Sequence, residues 1–259
     1  MPQPLFFNEI KYIPSFEVAM HRGLWSFVVL FISLTLFNGI KDFFLLFKFP
    51  KKIIILSITA LLIATNWLGF IYSVNIGKVQ DTSLGYFLTP MISISLGYLF
   101  LSEKLNFRKV ISVLLMFFSC LILVFSSDHF PYIAILIGTT WGVYGLLRKR
   151  IQVPPALGLL FESGLITLFA LPYLVFLGVS ETGFFTYNLN YNSIMLFFTG
   201  IVTIIPLFLF NLGLKYIPLG LAGVLFYIAP SFHFITSVYV LGEYMNNYKF
   251  LAFMIIWIG

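Results

Sequence analysis

Charge is what this sequence has least of. Of its 259 residues only 24 are charged, 15 Lys or Arg and 9 Asp or Glu. That is 9% of the chain, against roughly 25% in an ordinary soluble domain. So few charges cannot coat a water-facing surface of this size, which excludes a soluble globular protein and a disordered chain alike. Cysteine is almost absent as well: Cys120 is alone, so a disulfide within the chain is excluded and the compartment cannot be read from thiols. A glycine-rich phosphate loop, HExxH, CxxC and GxSxG are all missing, and with them the usual signatures of soluble enzymes. The opening Met1-Pro2-Gln3-Pro4 has neither the basic region nor the apolar core of a secretory leader.

Apolar residues take the place of charge. They make up 60% of the chain, 32 of them Phe, and they fall into continuous runs at 23–39, 53–74, 82–101, 110–126, 131–147, 156–178, 193–214 and 219–240. Continuous rather than alternating runs argue against a β-barrel and for an all-α, polytopic membrane helix bundle. At roughly 20 residues per span and about 7 per loop, the length holds nine to ten crossings. A ninth run starts at Lys249 and stops at Gly259, about half a crossing, and the apolar residues 1–7 are too few to cross.

Sliding the chain against itself by 140 positions explains the short ends. Phe70 then falls on Phe210, Pro90 on Pro230, Leu101 on Leu241, Glu103 on Glu243, Lys109 on Lys249 and Pro14 on Pro154, without a gap. The expected design is two five-helix repeats, 1–126 and 127–259, ten helices in all, with helices 1 and 10 truncated in this chain. Five being odd, the halves must cross in opposite directions, and the loop charges agree. Counting the truncated helix as the first, the even-numbered gaps hold Lys41, Lys48, Lys51, Lys52, Lys104, Arg108, Lys109, Arg148, Lys149, Arg150 and Lys215. The other side has only Lys11, Arg22, Lys78 and Lys249. The positive-inside rule therefore places loops 40–52, 102–109 and 148–155 in the cytoplasm. The excess of six positive charges belongs to membrane-face loops, not to nucleic-acid binding. Inverted repeats are a plan used by many secondary transporters.

Breaks in the apolar helices are the candidate sites of chemistry. Pro90 and Pro230 occupy one repeat position, and each removes a backbone donor, so the carbonyls of Tyr86 and Phe226 are expected to lose their usual helical partners. Paired interruptions point to a transporter's central site, although each proline also serves to bend a helix for packing. Asn66 and Trp67, with Tyr72 beyond, lie past the middle of one span, Asn211 sits in the corresponding helix of the second half, and His233 follows Pro230 by one turn. Such groups face a wet cavity or join helices by ordinary hydrogen bonds. Glu162 is the one acid well inside a span; its readings are a pair with Lys149 or Arg150 (or snorkelling), a proton- or ion-coupling role, and a pair with its repeat mate Arg22. Small residues at Thr89, Ser93 and Gly97, and at Gly138 and Gly142, read as helix-packing stripes, with Trp141 and Tyr144 turned toward a cavity. His21, His129 and His233 are scattered, so neither a metal nor another cofactor is expected.

Taken in order, several motifs resemble the EamA-type drug/metabolite transporter superfamily, and more narrowly its RarD-type branch of chloramphenicol-sensitive proteins. They are His21-Arg22 with Leu24-Trp25-Ser26, Asn66-Trp67-Leu68, Ser83-Leu84-Gly85-Tyr86-Phe87 with Pro90, Tyr144-Gly145-Leu146-Leu147-Arg148-Lys149, Glu162, Ile205-Pro206-Leu207, and Tyr227-Ile228-Ala229-Pro230. The resemblance implies ten helices, cytoplasmic termini and movement of small organic solutes through a central cavity lined by helices 1, 3, 4, 6, 8 and 9. It places Asn66, Trp67, Tyr86, Pro90, Trp141, Tyr144, Asn211, Tyr227, Pro230 and His233 in lining helices. A glutamine that the pattern leads one to expect before Tyr227 is Phe226 here.

The function expected is that of a secondary transporter of the inner membrane, working on a small solute by alternating access, with proton coupling resting on Glu162 and His233. A non-transporting receptor or assembly protein, or a non-functional fragment, is the alternative. An intramembrane enzyme comes last, for want of a nucleophile–base pair at membrane depth. Its partners are the solute and the lipid bilayer; the oligomeric state is left open.

Overall fold

Proline and glycine punctuate this chain, and between them apolar residues favour helix. The computed structural model describes residues 3–125, 130–186, 190–242 and 247–258, and among these every regular element is helical. In chain order they are α1 (Gln3–Asn8), α2 (Ser15–Leu36), α3 (Ile40–Leu45), α4 (Pro50–Asn75), α5 (Val79–Leu101), α6 (Phe107–Phe125), α7 (Tyr132–Ile151), α8 (Pro155–Val179), α9 (Tyr191–Gly213), α10 (Leu219–Leu225), α11 (Ile228–Tyr239) and α12 (Asn247–Ile258). The all-α membrane bundle expected from the runs is what forms. Among the described residues six stretches are long and apolar enough to cross a bilayer: α2, α4, α5, α8, α9 and the α10–α11 pair. Leu61, Phe169 and Leu209 lie exposed on three of these helices, apolar surface suited to lipid tails and not to water.

Most helix bounds fall within a few residues of the apolar runs, with four exceptions. Helix α2 starts at Ser15 rather than near 23, because Glu17, His21 and Arg22 are buried within it instead of marking its end. Helix α7 runs on to Ile151, carrying Arg148, Lys149 and Arg150 in its last turn. The basic segment 40–52, expected as a loop, is largely helical: α3, a 3-10 turn over Leu46–Lys48 and the start of α4. The last full run is split in two at Phe226 and Tyr227. Helix α4 ends where Gly77 takes φ +68°, with the amide of Lys78 bonded back to the carbonyl of Ser73 at 2.8 Å.

The chain forms two compact units, and neither is a half of the sequence. One unit comprises Glu9–Ile71 and Leu147–Lys215. Here α2 packs against both α8 and α9. Its apolar core includes Leu46, Leu56, Ile151, Val153, Leu157 and Phe161. Close approach is steric: a Cβ on Gly200 would stand 2.5 Å from the backbone carbonyl carbon of Trp25, and one on Gly23 2.5 Å from Ile166.

The other unit comprises Met1–Asn8, Tyr72–Leu146 and Tyr216–Gly259. Here α5 packs against α6, α10 and α11, and α12 packs on α6. Leu84, Leu88, Ala134 and Ala252 form one core cluster, Phe87 and Phe234 another. The small-residue stripes act as packing surfaces. A Cβ on Gly138 would lie 2.6 Å from the carbonyl oxygen of Gly85, one on Gly142 2.5 Å from Ile92, and one on Gly223 2.9 Å from Ser93. Ser102 takes φ 54° and ends α5, after which Glu103 accepts from the amides of Leu219 at 2.5 Å and Gly220 at 3.1 Å. A carboxylate there satisfies free amides at the N-terminus of α10, so the acid-after-span mark is a cap for a distant helix. Its repeat mate Glu243 lies outside the described residues.

Candidate functional site

The expected site residues divide between the units. Arg22, Asn66, Trp67, Glu162 and Asn211 belong to the first, and Tyr86, Pro90, Trp141, Tyr144, Tyr227, Pro230 and His233 to the second.

In the first unit the buried polar side chains form hydrogen-bonded groups. The Arg148 Nε donates to the Asn211 Oδ1 at 2.9 Å and lies 3.6 Å from the Glu162 Oε1. That same carboxylate oxygen accepts from the Thr59 hydroxyl at 2.6 Å, and the Asn211 amide nitrogen donates to the Leu207 carbonyl at 2.9 Å. Arg148, Glu162, Thr59 and Asn211 are all buried. Gly158 makes room for the guanidinium, which occupies the place a Cβ at that position would take. Glu162 thus forms an ion pair with Arg148, while Lys149 donates its Nζ to the Leu214 carbonyl at 2.9 Å. Removing one partner from a buried pair of this kind leaves an uncompensated charge, a cost of about 3–5 kcal/mol.

Arg22, one helix away, makes a different set of contacts. Its Nε donates to the Thr203 hydroxyl at 2.6 Å, and its guanidinium carbon stands 4.6 Å from the centroid of the Trp67 ring. Planar stacking on an aromatic face and a directed N–H suit Arg far better than Lys. Asn66, beside Trp67 on α4, is buried.

The second unit assembles rings. Tyr86 on α5 lies 6.1 Å from Trp141, 5.5 Å from Phe226 and 5.8 Å from His233, centroid to centroid. Trp141 stacks on Tyr144 at 5.7 Å and meets Phe226 at 5.1 Å, while Phe87 approaches Tyr227 at 5.6 Å. Four of the expected residues, Tyr86, Trp141, Tyr144 and His233, thus join one aromatic region with Phe226, while Tyr227 pairs with Phe87. The two prolines behave differently. Helix α5 continues through Pro90, whereas the chain breaks between α10 and α11 ahead of Pro230. The Phe226 carbonyl is not left without a partner: it accepts from the Ala229 amide at 3.1 Å, a tighter turn that bypasses the missing proline donor.

Sequence reasoning passed over Arg148, Thr59, Thr203 and the capping role of Glu103. Arg148 reads as the first of three loop cations, and only its burial sets it apart from Lys149 and Arg150. His129 lies outside the described residues. Among those described, no three His, Cys, Asp or Glu side chains are grouped to hold a metal ion.

The sequence model of the EamA-like transporter family matches residues 5–125 and again residues 131–259. The chain belongs to that family. It is 35% identical over 258 residues to the uncharacterized transporter YojE of Bacillus subtilis, covering 98% of this chain and 86% of the relative. To Protein RarD of Escherichia coli it is 32% identical over 256 residues, 99% of this chain and 86% of the other. A chloramphenicol-sensitive protein RarD from Pseudomonas aeruginosa is 24% identical over 260 residues, 99% and 86%. A solved crystal structure shares the fold at a TM-score of 0.65 and 16% identity, covering 98% of this chain and 90% of that one. With its apolar helices, the protein is a multi-pass transporter of the inner membrane.

Proposed function

We propose that this is a secondary transporter that moves a small, neutral or amphipathic organic solute across the inner membrane through a central cavity, by alternating access. The reading is carried by one observation: the family sequence model matches twice, and each matched segment buries polar side chains in apolar helices, Asn66 in the first and Asn211 and His233 in the second. Buried Asn66, Asn211 and His233 are expensive in a membrane-spanning helix unless the fold or a solute uses them. The two copies would be the five-helix repeats 1–126 and 127–259 in inverted orientation, with loops 40–52, 102–109 and 148–155 cytoplasmic. Solute contacts are assigned to Asn66, Trp67, Asn211 and the Tyr86–Trp141–Tyr144–Tyr227–His233 rings, with Pro90 and Pro230 shaping the helices beside them. Glu162 and Arg22 serve as helix-joining groups; the ion pair of Glu162 with Arg148 favours this over proton carriage.

Solute uptake into proteoliposomes tests the reading. Asn66→Ala and Trp67→Ala are expected to lower flux by tenfold or more while the protein remains folded. Unchanged flux in both would remove these residues from the site.

A further inference from the structure

The first unit contains a cavity of about 470 Å³ that holds none of the residues assigned above to the solute. It lies between the first turns of α2, the end of α8 and the segment that follows α8. Glu17, His21, Trp25, Leu174, Val179 and Phe185 are among its walls. We propose that it is a second binding site, for an organic ammonium ion carried on an apolar body.

Three features set the chemistry. Glu17 is 1% exposed, and one of its carboxyl oxygens accepts from the Phe184 amide at 2.7 Å, which fixes an acidic group at the wall. Phe185 lies 5.0 Å from the His21 ring and 5.8 Å from the Trp25 ring, so aromatic faces stand beside that carboxylate. A positive nitrogen flanked by a carboxylate and by ring faces is held by charge and by the ring quadrupoles together. Third, Leu24, Leu174, Val175 and Val179 supply an apolar wall for the rest of the molecule. Neutral apolar compounds would leave the carboxylate unused, and anions would be repelled by it. The Glu17 contact with Phe184 also makes a variant available: Glu17→Gln keeps an oxygen for that amide and removes the charge.

The test is equilibrium binding of radiolabelled benzyltrimethylammonium to the purified full chain in phosphatidylglycerol nanodiscs, whose headgroup has no ammonium. Saturable binding is expected, weakened at least about tenfold by Glu17→Gln and severalfold by Trp25→Leu. Neopentylbenzene, the neutral carbon analogue, is expected to compete weakly with the parent protein. Binding by Glu17→Gln equal to that of the parent overturns the proposal, as does equal competition by the neutral analogue. Should Glu17→Gln fail to fold, Trp25→Leu decides alone: unchanged affinity for the cation would sink the site. Adding phosphatidylethanolamine distinguishes the source of the ammonium, since displacement of the probe assigns the site to a lipid headgroup and persistence assigns it to a soluble amine. The measurement uses no flux, so its failure leaves the transport reading standing.

Discussion

The two units of this protein solve the same problem with different chemistry. Both bury polar atoms inside apolar helices, where unmet hydrogen-bonding groups are costly. The unit built on α2, α8 and α9 does so with full charges: Arg148 on Glu162 and Asn211, and Arg22 on Thr203 and Trp67. The unit built on α5, α10 and α11 relies on rings that carry a polar edge, Tyr86, Trp141, Tyr144 and His233, around Phe226. The difference teaches where each is vulnerable. A charge network fails when one member is lost, whereas a ring cluster loses contact area in proportion to what is removed.

The sharpest way to break the contrast is Arg148→Ala. It strands Glu162 without its cation and is expected to cost about 3–5 kcal/mol, read as a lower unfolding temperature of the purified protein. The pair replacement Arg148→Met with Glu162→Leu should recover most of that loss; no recovery would mean that the network is not what holds these helices. In the other unit, Gly138→Val should cost about 1–3 kcal/mol through overpacking against Gly85 and Leu88, measured the same way. Removing one ring is milder. Trp67→Leu deletes the face under Arg22 but leaves the Thr203 bond, so about 1 kcal/mol is expected. The smallest change is Pro230→Ala, under about 1 kcal/mol, because the Phe226 carbonyl already has the Ala229 amide. A much larger gain in melting temperature there would show that the break between α10 and α11 is held under strain.

The positions of most helices were legible because apolar length is a strong signal in a membrane protein, and the misjudged ends share a physical origin. A sequence reader takes a charged residue as the edge of a span. Glu17, Arg22 and Arg148 violate that rule because tertiary partners, invisible in one dimension, make their burial tolerable. Pro90 and Pro230 were legible as a matched pair, yet not that one would leave its helix intact and the other end it. That outcome depends on a three-residue carbonyl bond at Ala229. That Tyr86, Trp141, Tyr144 and His233 gather about Phe226 is a tertiary result that no spacing along the chain shows. The grouping of α2 with α8 and α9 was not legible, since repeat matching along the chain pairs equivalent helices and says nothing of which ones touch.

Gly85 and Gly138 sit so close that a side chain on either would strike the neighbouring helix: a Cβ on Gly85 would lie 2.7 Å from the Ala134 carbonyl oxygen, and one on Gly138 2.6 Å from that of Gly85. Evolutionary drift at these two positions is therefore coupled to a shift of whole helices. A lineage that acquires alanine at one of them has to widen the α5–α7 spacing before the substitution is tolerated, and the rings of Tyr86 and Trp141 would be drawn apart with it. Two glycines that touch neither ring would thereby set the spacing between them.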